Sequence, residues 1–319
     1  MTRRPPRAPR SSSEGTVPGP GRRSTARAVR GQLAAWAFLA PVTAYLLLCY
    51  VYPLYRNLDL SLRNYTVRSF VQGGAPFSGL ANYRAVLRDP TFGAALTNTL
   101  LFTGVSLLFQ FALGLALAVF FHSSFRLSVT LRALFLVPWL LPLIVSASTW
   151  SWMLNSESGI VNAALGVVGI DPVTWLTSPR WSLVSVTIAN IWIGIPFNLV
   201  ILYSGLQSIP AEIHEAAAID GANGWQRFWR VTFPLLRPVS AITLLLGLIY
   251  TLKVFDIIWI MTRGGPGDAS TTLATWSYRK SFGSLLPQFG PGAAISNLLI
   301  LMAFVSGLLY LRLQAKEQR

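Results

Sequence analysis

Few residues in this chain have the types and spacing that catalysis or metal binding requires. The two histidines, His122 and His214, are far apart in sequence, and neither has a cysteine or a second histidine at metal-ligand spacing. Each is interpreted as an interface residue. The glycine-rich segment 264–268 lacks the Lys-Ser or Lys-Thr pair of a phosphate-binding loop and indicates a tight turn. The sequence therefore predicts no catalytic residue, no metal ion and no cofactor bound by this chain, which argues against a membrane-embedded enzyme.

Lys253 and Asp256 are the only charged residues deep inside a predicted membrane-spanning segment. They are three positions apart, which places both on one face of a helix. Charges inside a membrane are costly and usually face a pathway or each other. A structural salt bridge is the preferred interpretation, and a substrate contact is the second. A proton- or sodium-coupled secondary transporter that uses the pair as a relay is the alternative function.

The elements that must position these residues are membrane helices. The 319 residues are 53% hydrophobic and 12% charged, with a mean hydropathy of +0.51, which is too apolar for one soluble domain. A run of about 20 apolar residues can cross a bilayer. The six runs of that kind are Leu33–Tyr52, Ala94–Phe121, Leu131–Leu154, Trp181–Leu206, Val239–Met261 and Gly292–Leu311. The fold class is therefore predicted to be all-α, a polytopic bundle of six transmembrane helices, because a helix satisfies its own backbone groups in lipid. The apolar stretch 159–170 is too short to span and is predicted to be interfacial or re-entrant.

Basic residues set the expected domain organisation and orientation. Residues 1–32 carry eight arginines against one acidic residue and lack apolar periodicity, so they are predicted to be a disordered cytoplasmic tail. The membrane domain is predicted to span 33–311, and 312–319 form a second cytoplasmic tail. The net charge of +15 is attributed to this topology and to attraction by the anionic lipid bilayer. No nucleic-acid partner is predicted, because the basic residues form no folded domain that could bind bases.

A polar, helix-forming segment, 208–238, separates the fourth and fifth predicted spans. Ser208 is predicted to cap a slim alanine-rich helix, and Gly221, which tolerates positive φ, is predicted to end it. Asn223 is predicted to cap a second short helix with an aromatic face, which prolines end before the fifth span. A membrane chain that keeps such a helix-turn-helix on one side is predicted to grip a soluble partner there. An interfacial helix with tryptophan anchors is the alternative, and it accounts for the second helix only.

This segment resembles the EAA loop of the inner-membrane permease subunits of binding-protein-dependent ABC importers. The matching residues are Glu215, Ala216 and Ala217, then Gly221, and finally 231–234, where Val231 and Phe233 depart from the family's Ile-x-Leu-Pro. Other segments resemble the carbohydrate-uptake branch of that family. They are Asn82-Tyr83, Asp89-Pro90, Asn98-Thr99, Pro138-Trp139, Phe255-Asp256, and Thr262 with Gly264-Gly265-Pro266. The resemblance covers the chain from about Leu33 to Leu311.

The resemblance implies a permease subunit that is not itself an enzyme and whose EAA loop sits in a cleft of a cytosolic ATPase. On that basis the ATPase-coupling residues are predicted to be Glu215, Ala216, Ala217, Asp220, Gly221 and Pro234. ATP and Mg would be bound by the partner ATPase dimer, and a second permease subunit would complete the translocation path. An extracytoplasmic solute-binding protein would deliver a sugar, or a glycerol-phosphate-type ester, to this complex in a prokaryotic cytoplasmic membrane.

In this family the helices beside the coupling loop line the translocation cavity, so residues on these two helices are predicted to form the substrate path. On the fourth span, Asn190, Gly194 and Phe197 recur at i, i+4 and i+7 on one face. The predicted residues of the fifth span are Tyr250, Thr251 and Val254. An amide beside an aromatic ring suits a sugar, because the hydroxyls take hydrogen bonds and the C–H face stacks on the ring. Ordinary helix packing by small and polar residues is the alternative for each position.

Overall fold

A computed structural model describes residues 36–123 and 125–317 of the chain. The predicted disordered tail, 1–32, lies outside this part. Apart from two isolated β-bridges, the regular elements of the described part are helices, which confirms the all-α class. In chain order they are α1 Trp36–Ser61, α2 Val67–Gln72, α3 Ala81–Arg88, α4 Pro90–His122, α5 Ser128–Leu140, α6 Leu143–Met153, α7 Ile160–Val167, α8 Ser182–Gln207, α9 Ala211–Ile219, α10 Gly224–Leu252, α11 Asp256–Met261, α12 Leu273–Phe282 and α13 Phe289–Glu317.

The chain divides into a unit that ends at Arg56 and a unit that begins at Asn57. In the first unit, α1 contains one π-helical turn, Leu47–Val51, two residues ahead of Pro53. A proline inside a helix removes one hydrogen bond and crowds the preceding turn, and a wide turn accommodates it. All packing and all sites described below belong to the second unit.

Helices α1, α4, α8, α10 and α13 are long and apolar enough to cross a membrane, and the bent pair α5 and α6 supplies a sixth crossing if it forms one span. The predicted membrane bundle is confirmed in this form. The third predicted span, Leu131–Leu154, is wrong as one straight helix, because the axes of α5 and α6 differ by 96°. Pro142 lies between the two helices, and a proline disfavours the helical conformation of the residue before it. Leu141 is accordingly extended, with ψ 140°.

The fifth predicted span, Val239–Met261, also differs from the structure at both ends. Helix α10 begins earlier, at Gly224, and ends at Leu252, after which three residues leave the helical path before α11 begins at Asp256. Neither proline nor glycine marks this break. Irregular backbone at membrane depth is tolerated where it lines a cavity, and residues of this break line the cavity described below.

The short apolar stretch at 159–170 forms α7, which has eight residues and a length of about 12 Å. It is not among the helices long enough to cross a membrane. The prediction that this stretch does not span is confirmed, and its interfacial or re-entrant placement stays a prediction.

Two carboxamide side chains hold α4 and α8 in close approach. Gln110 of α4 lies over Gly194 of α8, and its Nε2 donates to the main-chain oxygen of Asn190 at 2.9 Å. One helical turn further along, Asn198 of α8 lies over Gly114 of α4, and its Nδ2 donates to the Gly194 oxygen at 3.0 Å. The two pairs are called the amide-glycine interlock below. Small residues at both contact points let the two backbones approach closely, as helices packed within a membrane require.

The loop 263–272 is held against α4 by one asparagine. The Nδ2 atom of Asn98 lies 3.1, 3.2 and 3.0 Å from the main-chain oxygens of Asp268, Ala269 and Thr271. Within the loop, Gly264 has a φ of +85°, in the region that favours glycine. The tight turn predicted for the glycine-rich segment is confirmed.

Two ion pairs connect the same loop and the start of α4 to α12. Lys280 Nζ lies 2.9 Å from Asp89 Oδ2, and Arg279 Nη1 lies 2.5 Å from Asp268 Oδ1. Burial raises the pKa of Asp268, but hydrogen bonds from Arg279 and Thr271 outweigh it, so the pKa lies below its ordinary value. The pKa of Asp89 is lowered in the same way by Lys280, against the opposing effect of burial. Both carboxylates therefore favour their charged form in the folded protein.

We expect Gly114→Ala to lower the free energy of unfolding by about 1–3 kcal/mol, the usual cost of overpacking. A Cβ at this position would lie 2.5 Å from the Asn198 Cβ. Gly104→Ala, on the same helix, is the matched control, because nothing lies within 4 Å of the added methyl group. It should be neutral or raise stability by up to about 1 kcal/mol. Thermal unfolding in detergent measures both, and equal stability of the two variants would contradict the interlock.

The Asp268 ion pair should make stability depend on pH. Because the folded pKa is depressed, the stabilisation is present above the unfolded pKa of about 3.9 and is lost as the pH falls through the lower folded value. We expect the melting temperature to drop between pH 5 and pH 3 by less in Asp268→Asn, which cannot titrate, than in the unmodified chain. The same drop in both proteins would show that this pair contributes nothing to the pH dependence.

Candidate functional site

A cavity of about 380 Å³ opens between α4, α5, α6, α8, α10 and the break before α11. The six residues predicted for the substrate path line it together. They are Asn190, Gly194, Phe197, Tyr250, Thr251 and Val254. Lys253 and Asp256 line it as well. The residues predicted from their spacing therefore lie in one cavity, while their contact with a substrate stays a prediction.

The polar part of the cavity wall comes from α8 and α4. Asn190 has 5% of its surface exposed, and its buried Nδ2 has no hydrogen-bond partner among the described residues. A buried amide without a partner is costly, and this one belongs to a residue that lines the cavity. Gln110, 4% exposed, fixes the backbone at the same point through its bond to the Asn190 oxygen.

Gln110 was not among the predicted residues of the substrate path, although the sequence carries a signal for it. In α4 the buried polar residues Thr99, Thr103, Ser106 and Gln110 recur at i, i+4, i+7 and i+11. Such a stripe in an otherwise apolar span marks a face that packs on protein or lines a pathway. The identity of its partner helix could not be obtained from this periodicity.

The aromatic part of the wall is a row of three rings. Trp139 meets Phe197 edge-on at 6.3 Å between ring centroids, and Phe197 meets Tyr250 edge-on at 5.7 Å. Aromatic pairs prefer such edge-to-face geometry. Trp139 was missed as a cavity residue, although it belongs to the Pro138-Trp139 segment that carries part of the family resemblance. The row gives the cavity apolar surfaces beside the Asn190 amide.

The predicted salt bridge between Lys253 and Asp256 is wrong. Lys253 follows the last residue of α10 and Asp256 begins α11, so the two do not share one helical face. In the described part of the chain, no ion pair within 4.0 Å joins them. The Lys253 ammonium lies instead 4.9 Å from the centre of the Tyr250 ring, a cation–π contact. Both charged side chains are exposed along the cavity wall.

Except for Pro234, which lies on α10, the predicted coupling residues lie on α9 and the turn after it. Glu215, Ala216 and Asp220 are exposed and Ala217 is half-buried. Ile219, which the sequence argument did not select, has 87% of its surface exposed.

Gly221 ends α9 as predicted. Its φ is +82°, its N–H donates to the Ala218 oxygen, and the Ala222 N–H donates to the Ala217 oxygen, each at 3.0 Å. This pair of bonds is the Schellman motif, which needs a left-handed residue at the position of Gly221. The predicted cap of the next helix is also confirmed, because the Asn223 side chain accepts from the Gln226 N–H at 2.9 Å.

Two other details of the predicted helix-turn-helix are wrong. Ser208 does not cap α9 but closes α8, and Pro210 occupies the N-cap position. A proline disfavours helical backbone at the residue before it, so the new helix starts only after Pro210. Pro234 does not end the second helix, since α10 continues through it after a wide π-helical turn, Phe228–Thr232. The second helix and the fifth span are thus one continuous element.

The family model of the binding-protein-dependent transport system inner membrane component matches residues 110–319. The chain belongs to this family. It is a permease subunit and a multi-pass membrane protein, and its family gives no support to the secondary-transporter alternative.

The permease is similar to named transport proteins over most of its length. It is 38% identical to the trehalose/maltose transport system permease protein MalF of Thermococcus litoralis, covering 74% of this chain and 79% of that one. It is 33% identical to the sulfoquinovosyl glycerol transport system permease protein SmoG of Agrobacterium fabrum, covering 88% and 90%. A crystal structure of a bacterial alginate ABC transporter, in complex with alginate pentasaccharide-bound periplasmic protein, shares the fold. The TM-score is 0.76 at 24% identity, with 89% and 94% of the two chains covered.

We expect Gly194→Ala to reduce substrate uptake by the assembled transporter about tenfold. A methyl group at Gly194 would overlap the Gln110 amide and displace it from the Asn190 oxygen, and a disturbance of 1.4 kcal/mol is tenfold. Uptake into membrane vesicles measures the effect, with Gly104→Ala as the control. The double variant Gly194→Ala with Gln110→Ala should recover part of the uptake, because the colliding amide is removed. A double variant no better than the single one would contradict this mechanism.

Proposed function

We propose that this permease subunit forms half of the membrane path of an ATP-driven sugar importer. The observation that carries the proposal is the cavity wall, where the unpartnered Asn190 amide stands beside the aromatic row of Trp139, Phe197 and Tyr250. Sugars present hydroxyls to an amide and C–H faces to rings. The relatives' names, which refer to trehalose, maltose and a sulfoquinovosyl glycerol, support the same substrate class.

Energy reaches the cavity from a separate ATPase dimer that binds ATP and Mg. The docking element is α9, where Glu215 and Asp220 can pair with basic groups and the alanines admit a close partner surface. Helix α10 supports this proposal, because it runs as one rod of 29 residues from the turn beside α9 to Tyr250 and Thr251 at the cavity. At 1.5 Å per residue the rod is about 44 Å long. A displacement of α9 can therefore move the cavity wall directly.

The remaining partners follow from the same proposal. A second permease subunit closes the path from the other side, and an extracytoplasmic solute-binding protein delivers the sugar. The subunit is placed in a prokaryotic cytoplasmic membrane with both termini in the cytoplasm. The arginine-rich sequence before the first span supports this orientation, since basic residues are retained on the cytoplasmic side.

The test of the proposal is a pull-down of the tagged permease, co-expressed with its genomic neighbours, combined with uptake of a labelled disaccharide. Gly221→Val should lose both the ATPase and the uptake, because a β-branched residue is strained at a φ of +82°. Gly221→Asn is the matched control and should retain both, because asparagine tolerates this conformation. Glu215→Lys should lose the ATPase through charge reversal while the protein still inserts.

The two parts of the proposal can fail separately. If the unmodified permease recovers no ATPase under conditions that preserve membrane complexes, the coupling assignment is wrong. If the ATPase is recovered but amino acids are taken up in preference to sugars, the substrate class is wrong and the coupling assignment stands.

A further inference from the structure

A second pocket, of about 380 Å³, lies where four helices of the permease meet. It is lined by the last turn of α4, the end of α8, the middle of α9 and the first two turns of α10. His122 and His214, which are 92 positions apart in sequence, are both in its lining, together with Arg227. The prediction that the two histidines are interface residues did not anticipate that they share one site.

The lining of this pocket carries donors and no carboxylate. Arg227 is half-buried and, in the part of the chain that the structure describes, forms no ion pair within 4.0 Å. A partly desolvated guanidinium without a counter-ion is unfavourable. Each imidazole has at least one N–H to donate in either protonation state. The neighbouring acidic residue Glu215 is exposed on α9 and does not line the pocket. The donor groups of this pocket therefore suit an anionic ligand.

The position of the pocket along the bundle identifies the source of that anion. His122 is the last residue of α4, and Leu206 is the next-to-last residue of α8. Because α4 and α8 are both longer than the hydrocarbon core of a bilayer, their ends lie outside that core, on the side of the headgroups. Basic pockets between the ends of membrane helices bind anionic headgroups. This inference rests on the proposed function, which puts α9 and the helix ends beside it on the cytoplasmic side.

The outer surface of α10 supports the same partner. Trp225 and Trp229 are 73% and 46% exposed, and their rings meet at 5.6 Å between centroids. Phe233 continues the row at 5.2 Å from Trp229. Tryptophans are enriched at membrane–water interfaces because one ring offers both apolar surface and an N–H. Arg230, exposed on the same turn, adds positive charge for an anionic surface.

We propose that His122, His214 and Arg227 form a site for the headgroup phosphate of an anionic phospholipid. Arg227 makes the bidentate contact for which a guanidinium is suited, and the imidazole N–H groups of His122 and His214 bind the remaining oxygens. The bound lipid then joins the end of α4 to α9 and to the first turns of α10. The lipid would thereby stiffen the connection between the docking helix and the rod that reaches the cavity.

The proposal is tested by native mass spectrometry of the full-length permease, purified with its co-expressed partners and titrated with phosphatidylglycerol or phosphatidylcholine. We expect at least one phosphatidylglycerol to be retained in preference to phosphatidylcholine. Arg227→Gln should weaken the binding of that molecule about tenfold or more, since a charged hydrogen bond to a desolvated partner is lost. Arg227→Lys keeps the positive charge and should retain part of the affinity that Arg227→Gln loses. This comparison distinguishes the loss of charge from misfolding.

Arg237→Gln is the matched control, because Arg237 is exposed on the same helix and outside the pocket. Its loss should lower the affinity by no more than about fivefold, the contribution of one general surface charge. Equal losses in Arg227→Gln and Arg237→Gln would overturn the pocket in favour of general surface attraction. Competition by inorganic phosphate at the same concentration as the lipid would overturn the assignment to a lipid headgroup. Unchanged lipid binding in a variant that replaces both His122 and His214 by Gln would show that the histidines do not contribute to the site.

Discussion

The close approach of α4 and α8 is the constraint on which the rest of the second unit depends. Inside a bilayer the hydrophobic effect does not drive the association of helices, so van der Waals packing and interhelical hydrogen bonds must stabilise it. The amide-glycine interlock supplies both at one place, because each carboxamide covers a glycine of the other helix and Gln110 donates across to the main-chain oxygen of Asn190. The same contact fixes the backbone at Asn190. The cavity wall is thus a consequence of how two membrane helices are held together.

Helix α10 connects the segment beside α9 to the wall of the cavity. A helix that stopped at Pro234 would leave the docking segment joined to the bundle by a flexible connection. The π-helical turn Phe228–Thr232 lets the helix continue past that proline instead. At its other end α10 stops at Leu252, and the irregular backbone that follows exposes Lys253 and Asp256 to the cavity. Helix α10 therefore joins the proposed docking helix α9 to a cavity wall that carries Lys253 and Asp256.

The features that were predicted correctly depend on interactions between residues close together in sequence, which the sequence determines by itself. The apolar runs define the spans because hydrocarbon thickness sets their length. Gly221 ends α9 and Asn223 caps the next helix because these signals act over three or four residues. The spacing of Asn190, Gly194 and Phe197 places them on one helix face, and that face does line the cavity. Each of these features depends on neighbours within one or two turns.

Tertiary structure decided which helix faces meet, because the periodicity of one segment does not identify the distant segment that it contacts. Gln110 acquires its role only when Gly194 of another helix lies beneath it, and His122 and His214 line one pocket only because the helix ends converge. The break after Leu252 follows the same rule, since it carries neither proline nor glycine and is tolerated only where the assembled bundle leaves a cavity. The sequence therefore determined the apolar spans, the turn at Gly221 and the cap at Asn223, while the packing of the bundle decided the cavity wall and the basic pocket.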